Sequence, residues 1–172
     1  KMNILHEKSN LTRLIQSYKG LEAFDYDVSI DWAVELLQKG IISDNIEMLA
    51  SFSKPADYWE IKPYVQNVLI EFNLKEFEED GAIQNYSYFY VSRILEDAEN
   101  ILSSLYKLWE ICIDSGYEQS IYPFYLLKYS WEDLQDFEFS SHYPEVTLSN
   151  FTETVLSEAT IWMKNFEKSN NF

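Results

Sequence analysis

The chain has 172 residues, 47% of them hydrophobic and 17% aromatic, which is too apolar for intrinsic disorder and enough for one domain with a sizeable core. Thirteen Lys and Arg against 29 Asp and Glu leave a formal net charge of −16, a field that repels nucleic acid and anionic lipid. Cys112 is the only cysteine, so no intramolecular disulfide can form, and a cytoplasmic, reducing compartment is expected.

Asn10 is placed to cap a first helix that carries Leu11, Leu14, Ile15 and Tyr18, with Gly20 beyond its end. Ser29 then precedes Ile30, Ala33, Val34 and Leu37, and Gly40 closes a second helix of i, i+3, i+4, i+7 spacing. Ser43 caps a third, with Asp44 at the positive end of its dipole and Ile46, Leu49 and Ala50 facing inward. Helices two and three are expected to form a hairpin.

The Lys54-Pro55 step ends that hairpin. Asp57 is a candidate cap for a segment holding Trp59, Ile61, Val65, Val68, Leu69 and Phe72, but Pro63 belongs in a first turn. A start near Lys62 is therefore expected, with 56–61 forming a separate turn. Glu76, Glu78, Glu79, Asp80 and Gly81 have the composition of a loop. Helical spacing then runs from Ile83 to Cys112, longer than one ordinary helix, with a break expected near Glu96-Asp97, where Asp97 is a candidate cap.

Segment 117–143 is the least regular. Pro123, Phe124, Leu127 and Trp131 suggest one or two short helices, while its tyrosines and isoleucine keep strands open. After Pro144, Ser149 is expected to cap a final helix bearing Phe151, Val155, Leu156, Ala159, Trp162, Met163 and Phe166. The fold class that follows is all-α: a single domain, 1–172, built as a bundle of about six to eight helices from antiparallel helix hairpins. No fixed repeat period and no Gly/Ser linker argue against this, and every long apolar run is broken by charge well before the roughly 18 residues a membrane span needs. No apolar export-signal core is seen, and Lys1 ahead of Met2 reads as a remnant of expression.

Chemistry is sparse. His6 and His142 stand alone in the sequence, without a Glu-x-x-His or His-x-x-x-His pair, so no metal site is expected. The acidic run 76–80 lacks the alternating oxygen ligands of a calcium loop. Cys112 sits on the apolar stripe beside Leu108 and Trp109, where burial raises a thiol pKa and suppresses nucleophilicity. Neither a Gly-x-Ser-x-Gly elbow nor a glycine-rich phosphate loop is present, so no cofactor and no catalytic residue is assigned. Carboxylate pairs around Asp133 and Asp136 are compatible with acid/base work, but spacings of this kind arise by chance in so acidic a chain.

Charge and aromatics carry the most information. From Glu96 to Glu145 there are eleven acidic residues and two basic ones, Lys107 and Lys128. Trp32, Trp59, Trp109 and Trp162 read as core, whereas Tyr117, Tyr122, Tyr125, Tyr129 and Trp131 neighbour the acidic stretch and suit a surface where one end is apolar and the other wet. A solvated face is the plain reading of that charge; a surface that steers a basic partner is the functional one.

Asp31-Trp32-Ala33, Leu36-Leu37, Gly40, Ser43 and Leu49-Ala50, together with Ile94-Leu95-Glu96-Asp97, Ile101, Leu105, Trp109 and Ile111, resemble the opening hairpin and middle helices of small helical bacterial proteins often encoded beside secreted toxins. The resemblance covers about a third of the chain. It implies a non-enzymatic immunity protein that neutralises a basic toxin by covering an essential surface. Glu96, Asp97, Glu99, Asp133, Asp136 and Glu138, with Tyr129 and Trp131, are the interface candidates. A helical adaptor or structural component, and an enzyme assembled from scattered carboxylates, are the alternatives.

Overall fold

The structure is a computed structural model that describes residues 10–170; Lys1 and His6 lie outside the described residues. The chain is all-α, with eight α-helices and no strand among the described residues. It divides into two compact units, residues 1–86 and 87–172. The boundary falls within α5 (Glu79–Glu96).

The first unit contains α1 (Asn10–Ile15), α2 (Asp27–Gln38), α3 (Asp44–Ala50), α4 (Tyr58–Glu71) and the start of α5. Packing runs between consecutive elements, α1 on α2, α2 on α3 and α3 on α4, across short connections. The α2–α3 turn follows from its residues. Gly40 takes φ +77, which lets its amide donate to the Leu37 carbonyl and the Ile41 amide to the Leu36 carbonyl, both at 2.9 Å. These are the two bonds of a Schellman cap. Ser43 then accepts the Ile46 amide at 3.2 Å, as its sequence position predicts.

Other local expectations are corrected. Helix α2 starts at Asp27, two residues ahead of Ser29, which lies buried inside the helix and donates to the Tyr26 carbonyl at 2.6 Å. The buried arc of α2 is centred on Ser29, Ala33 and Leu36, because Trp32 is fully buried and its indole N–H donates to Thr12 Oγ1 at 3.0 Å. Val34 is consequently exposed.

Helix α4 begins at Tyr58 rather than near Lys62. Asp57 accepts the amides of Trp59 and Glu60 at 2.9 and 3.2 Å, and this cap carries the helix through Pro63, whose missing N–H costs one bond to the Trp59 carbonyl. The buried stripe is Ile61, Val65, Val68 and Leu69. Trp59 stands about 200° around the helix from Ile61 and is 79% exposed, not core. Glu79, Asp80 and Gly81, expected in a loop, form the first turn of α5.

In the second unit the break in the long helical pattern falls where expected. Helix α5 ends at Glu96, a 3-10 turn covers Ala98–Asn100, and α6 (Ile101–Asp114) follows. The Asp97 side chain caps no backbone amide and instead accepts from the Asn100 side-chain amide at 2.9 Å. Segment 117–143 contains one 15-residue helix, α7 (Tyr122–Asp136), with no strand; Pro123 sits in its first turn, where a proline costs nothing. Helix α8 (Phe151–Ser169) closes the unit, packed on α7, which packs on α6. Ser149 does not cap α8, since Asn150 precedes it and the Ser149 hydroxyl pairs with Thr147 Oγ1 at 3.0 Å. Its buried stripe is Phe151, Val155, Ala159, Trp162 and Phe166.

A candidate partner-binding face

The interface candidates all lie in the second unit and fall into two groups. Glu96, Asp97 and Glu99 are exposed at the turn between α5 and α6. Tyr129, Trp131, Asp133 and Asp136 lie on α7, with Glu138 just past its end. Asp136 and Glu138 are exposed, whereas Tyr129, Trp131 and Asp133 are half-buried.

The two aromatics are held in place by their neighbours. Tyr129 contacts the rings of Tyr125 at 5.1 Å and Trp109 at 6.2 Å, edge-on, and stacks on the His142 imidazole at 5.2 Å. Trp131 packs on Phe151 at 5.0 Å. Tyr122 and Tyr125 stack at 5.3 Å, and Tyr117 meets Tyr125 edge-on at 5.4 Å. Spacing of three and four residues places Tyr122, Tyr125 and Tyr129 along one side of α7.

Lys128 lies beneath this ladder. Its side chain is 7% exposed, and its ammonium sits over Trp109 at 4.1 Å, Tyr129 at 4.4 Å and Tyr106 at 5.4 Å. One carboxylate, that of Glu132 a turn later, pairs with it at 2.7 Å. A cation removed from water is retained here by ring faces and one salt bridge.

Asp133 has a second task. Its Oδ2 lies 2.8 Å from His142 Nδ1 and 2.9 Å from the Ser140 hydroxyl. These bonds hold its carboxyl below the usual range, the bond from His142 contributing most. Ser140 Oγ is also 2.9 Å from Ser130 Oγ and accepts the His142 amide at 3.1 Å. His142, alone in the sequence, thus has a partner nine residues away, and the Ser140–Tyr143 segment is pinned to α7. The carboxylate stands between serine and histidine, so the histidine relay that activates a serine nucleophile is absent. Burial pushes the Cys112 thiol up to about 11, with help from the nearby Glu118 charge. Among the described residues no group of three or more His, Cys, Asp or Glu is placed to hold a metal ion, and no helix is long and apolar enough to cross a membrane.

Two residues escaped the sequence pattern. Phe137 and Phe139, 62% and 68% exposed, flank Glu138 and contact each other at 6.5 Å. The available signal was their position just past the apolar period of α7, beside Asp136 and Glu138, where no core face remained for them. No protein-family model matches the chain, and neither does any curated protein or solved structure.

Proposed function

We propose that the protein is a non-enzymatic binding protein whose second unit offers an acidic, aromatic surface to a basic protein partner, in the manner of an immunity protein covering a bacterial toxin. The observation that carries this is the coincidence of unpaired charge with exposed rings. Some carboxylates have a lysine partner: Glu76 and Glu78 pair with Lys19, Asp31 with Lys54, Glu35 with Lys39, and, within the second unit, Glu110 with Lys107 and Glu132 with Lys128. Among the described residues Glu96, Glu99, Asp136 and Glu138 make no ion pair. Asp136 and Glu138 bracket Phe137, with Phe139 next to them.

Apolar rings that desolvate at the centre of a contact, ringed by charge that steers approach, are the components of a tight and fast interface. Tyr129, stacked on His142, adds area whose rotamer is already restricted, which lowers the entropic cost of association, whereas Trp131 stands about 200° around α7 from it and packs on Phe151. The net charge favours a basic partner and disfavours nucleic acid.

The test starts with tagged protein as bait in a lysate of the source organism at low and moderate salt, followed by stopped-flow association with the purified captured partner. Reversing Asp136 and Glu138 to Lys slows association by about tenfold or more and flattens its salt dependence, whereas Phe137→Ala with Phe139→Ala speeds dissociation. An association rate unchanged by the charge reversal refutes the assignment.

A further inference from the structure

The first unit contains a cavity of about 730 Å³ between the Tyr18–Tyr26 segment and α4, within the roughly 300–1,000 Å³ range of small-molecule sites. Three tyrosine rings form its walls. Tyr18 meets Tyr26 edge-on at 6.3 Å, and Tyr26 meets Tyr58 edge-on at 5.1 Å.

Its polar groups separate into satisfied and unsatisfied ones. The Tyr18 hydroxyl donates to Glu76 Oε1 at 2.6 Å and accepts from the Gln66 side-chain amide at 3.2 Å. Glu76 is further neutralised by Lys19 at 3.4 Å. That corner is complete. Lys62 is different: its ammonium donates to the Tyr58 hydroxyl at 2.8 Å and pairs with no carboxylate among the described residues. Two of its three N–H donors are therefore uncommitted, and the Tyr58 O–H, which accepts from Lys62, has its own proton to give. Tyr26 is only 9% exposed, yet no hydrogen bond engages its hydroxyl, and that oxygen is not sealed from solvent.

A lysine without a counter-ion and two tyrosine hydroxyls with protons to donate therefore line one cavity in a chain of net charge −16. Donors of this kind match a single anionic oxygen group, and charge-assisted bonds to it are the strong ones. The surrounding ring edges and Leu21 match a flat apolar body. Glu22 and Glu76 on the same lining disfavour polyanions such as nucleotides.

We propose that this cavity binds a small aromatic monocarboxylate, its carboxylate held by Lys62 and the hydroxyls of Tyr58 and Tyr26, and its ring set against the tyrosine walls. Every residue of its lining belongs to the first unit.

Isothermal titration of the whole protein with 4-hydroxyphenylacetate, its neutral amide, and tyramine tests this. The acid binds with a Kd below about 1 mM and the amide about tenfold or more weaker. Lys62→Met removes that preference, reducing acid affinity about tenfold while leaving the amide unchanged. Tyr26→Phe, which keeps the ring and the fold, weakens the acid about threefold or more. Far-UV circular dichroism confirms that both variants fold. The proposal is overturned by any of four results: no saturable binding by about 10 mM, equal binding of acid and amide, an unchanged acid affinity in Lys62→Met, or tightest binding by tyramine.

Discussion

Truncating Lys128 separates the two ways in which a buried cation contributes to the second unit. Its side chain, four-methylene stem included, is only 7% exposed, and its charge faces the rings of Tyr106, Trp109 and Tyr129 and the carboxylate of Glu132. At about 0.8 kcal/mol per methylene, the part of the stem that alanine lacks contributes about 2 kcal/mol. Ring contacts with a desolvated cation contribute about 2 kcal/mol. The pair with Glu132, whose side chain is 46% exposed, contributes about 0.5 kcal/mol after solvent screening. Against these stands the cost of dehydrating the ammonium, which offsets more than half of the charged contributions. Lys128→Met keeps most of the stem and loses the charge, so a destabilisation of about 1 kcal/mol is expected; Lys128→Ala loses both, about 3 kcal/mol. Glu132→Gln should cost about 0.5 kcal/mol or less. Urea unfolding followed by circular dichroism and tryptophan fluorescence measures all three. If Lys128→Met matches or exceeds the parent in stability, the rings do not hold the cation; if Glu132→Gln costs as much as Lys128→Met, the carboxylate holds it instead.

Alkaline pH should open the structure in an ordered way. Burial, reinforced by the bonds to Glu76 and Glu158, pushes Tyr18 and Tyr143 each up to about 12, and burial beside Tyr58 raises Tyr26 further. Because the folded chain keeps these protons while the unfolded chain releases them near an ordinary value of about 10, stability is intact below pH 10 and is lost as pH rises from about 10 to 12. Absorbance at 295 nm should therefore show one group of tyrosines ionising near pH 10 and a second together with loss of helical signal; a single transition with the helices intact contradicts the burial pattern. A glycine pair offers a test with opposite signs: Gly40→Ala should destabilise by about 1 kcal/mol because φ is +77 there, whereas Gly81→Ala, with ordinary φ, no atom within 4 Å of its added Cβ and a place in the first turn of α5, should stabilise by about 0.5 kcal/mol. Thermal melts of both variants decide it, and two shifts of the same sign would refute the backbone argument.

What the sequence revealed of the fold depended on whether a local rule acted alone. Gly40 and Ser43 were legible because a left-handed cap and an N-cap involve only residues a few positions apart. Pro63 misled because its cost is local and fixed, while the Asp57 cap and the stripe of Ile61, Val65, Val68 and Leu69 together outweigh it. Segment 117–143 looked irregular because its aromatics are spaced for a ring ladder on the outer side of α7 as well as for its buried side, which blurs the apolar period. Trp59 was misplaced because hydrophobicity alone put it in the core, when its angular distance from Ile61 puts it in solvent.

The site was legible to the extent that charge compensation is local. The stretch from Glu96 to Glu145 holds only Lys107 and Lys128 against eleven carboxylates, and each lysine has a glutamate three or four residues away on its own helix, Glu110 and Glu132. Both cations are thus spent within a turn, and the remaining negative charge had to stand at positions such as Glu96, Glu99, Asp136 and Glu138. In the first unit the same count fails, because Lys19 reaches Glu76 and Glu78 and Lys54 reaches Asp31 only through the fold. The bond of Asp133 to His142 was hidden for a related reason, since it needs the chain to turn back after α7. Asp133 therefore belongs to the scaffold of the face rather than to its free charge: its carboxylate is already occupied by the imidazole and the Ser140 hydroxyl, so reversing it would disturb the Tyr129–His142 stack as well as the surface field. Asp136 and Glu138, which support nothing, are the positions at which charge alone can be altered.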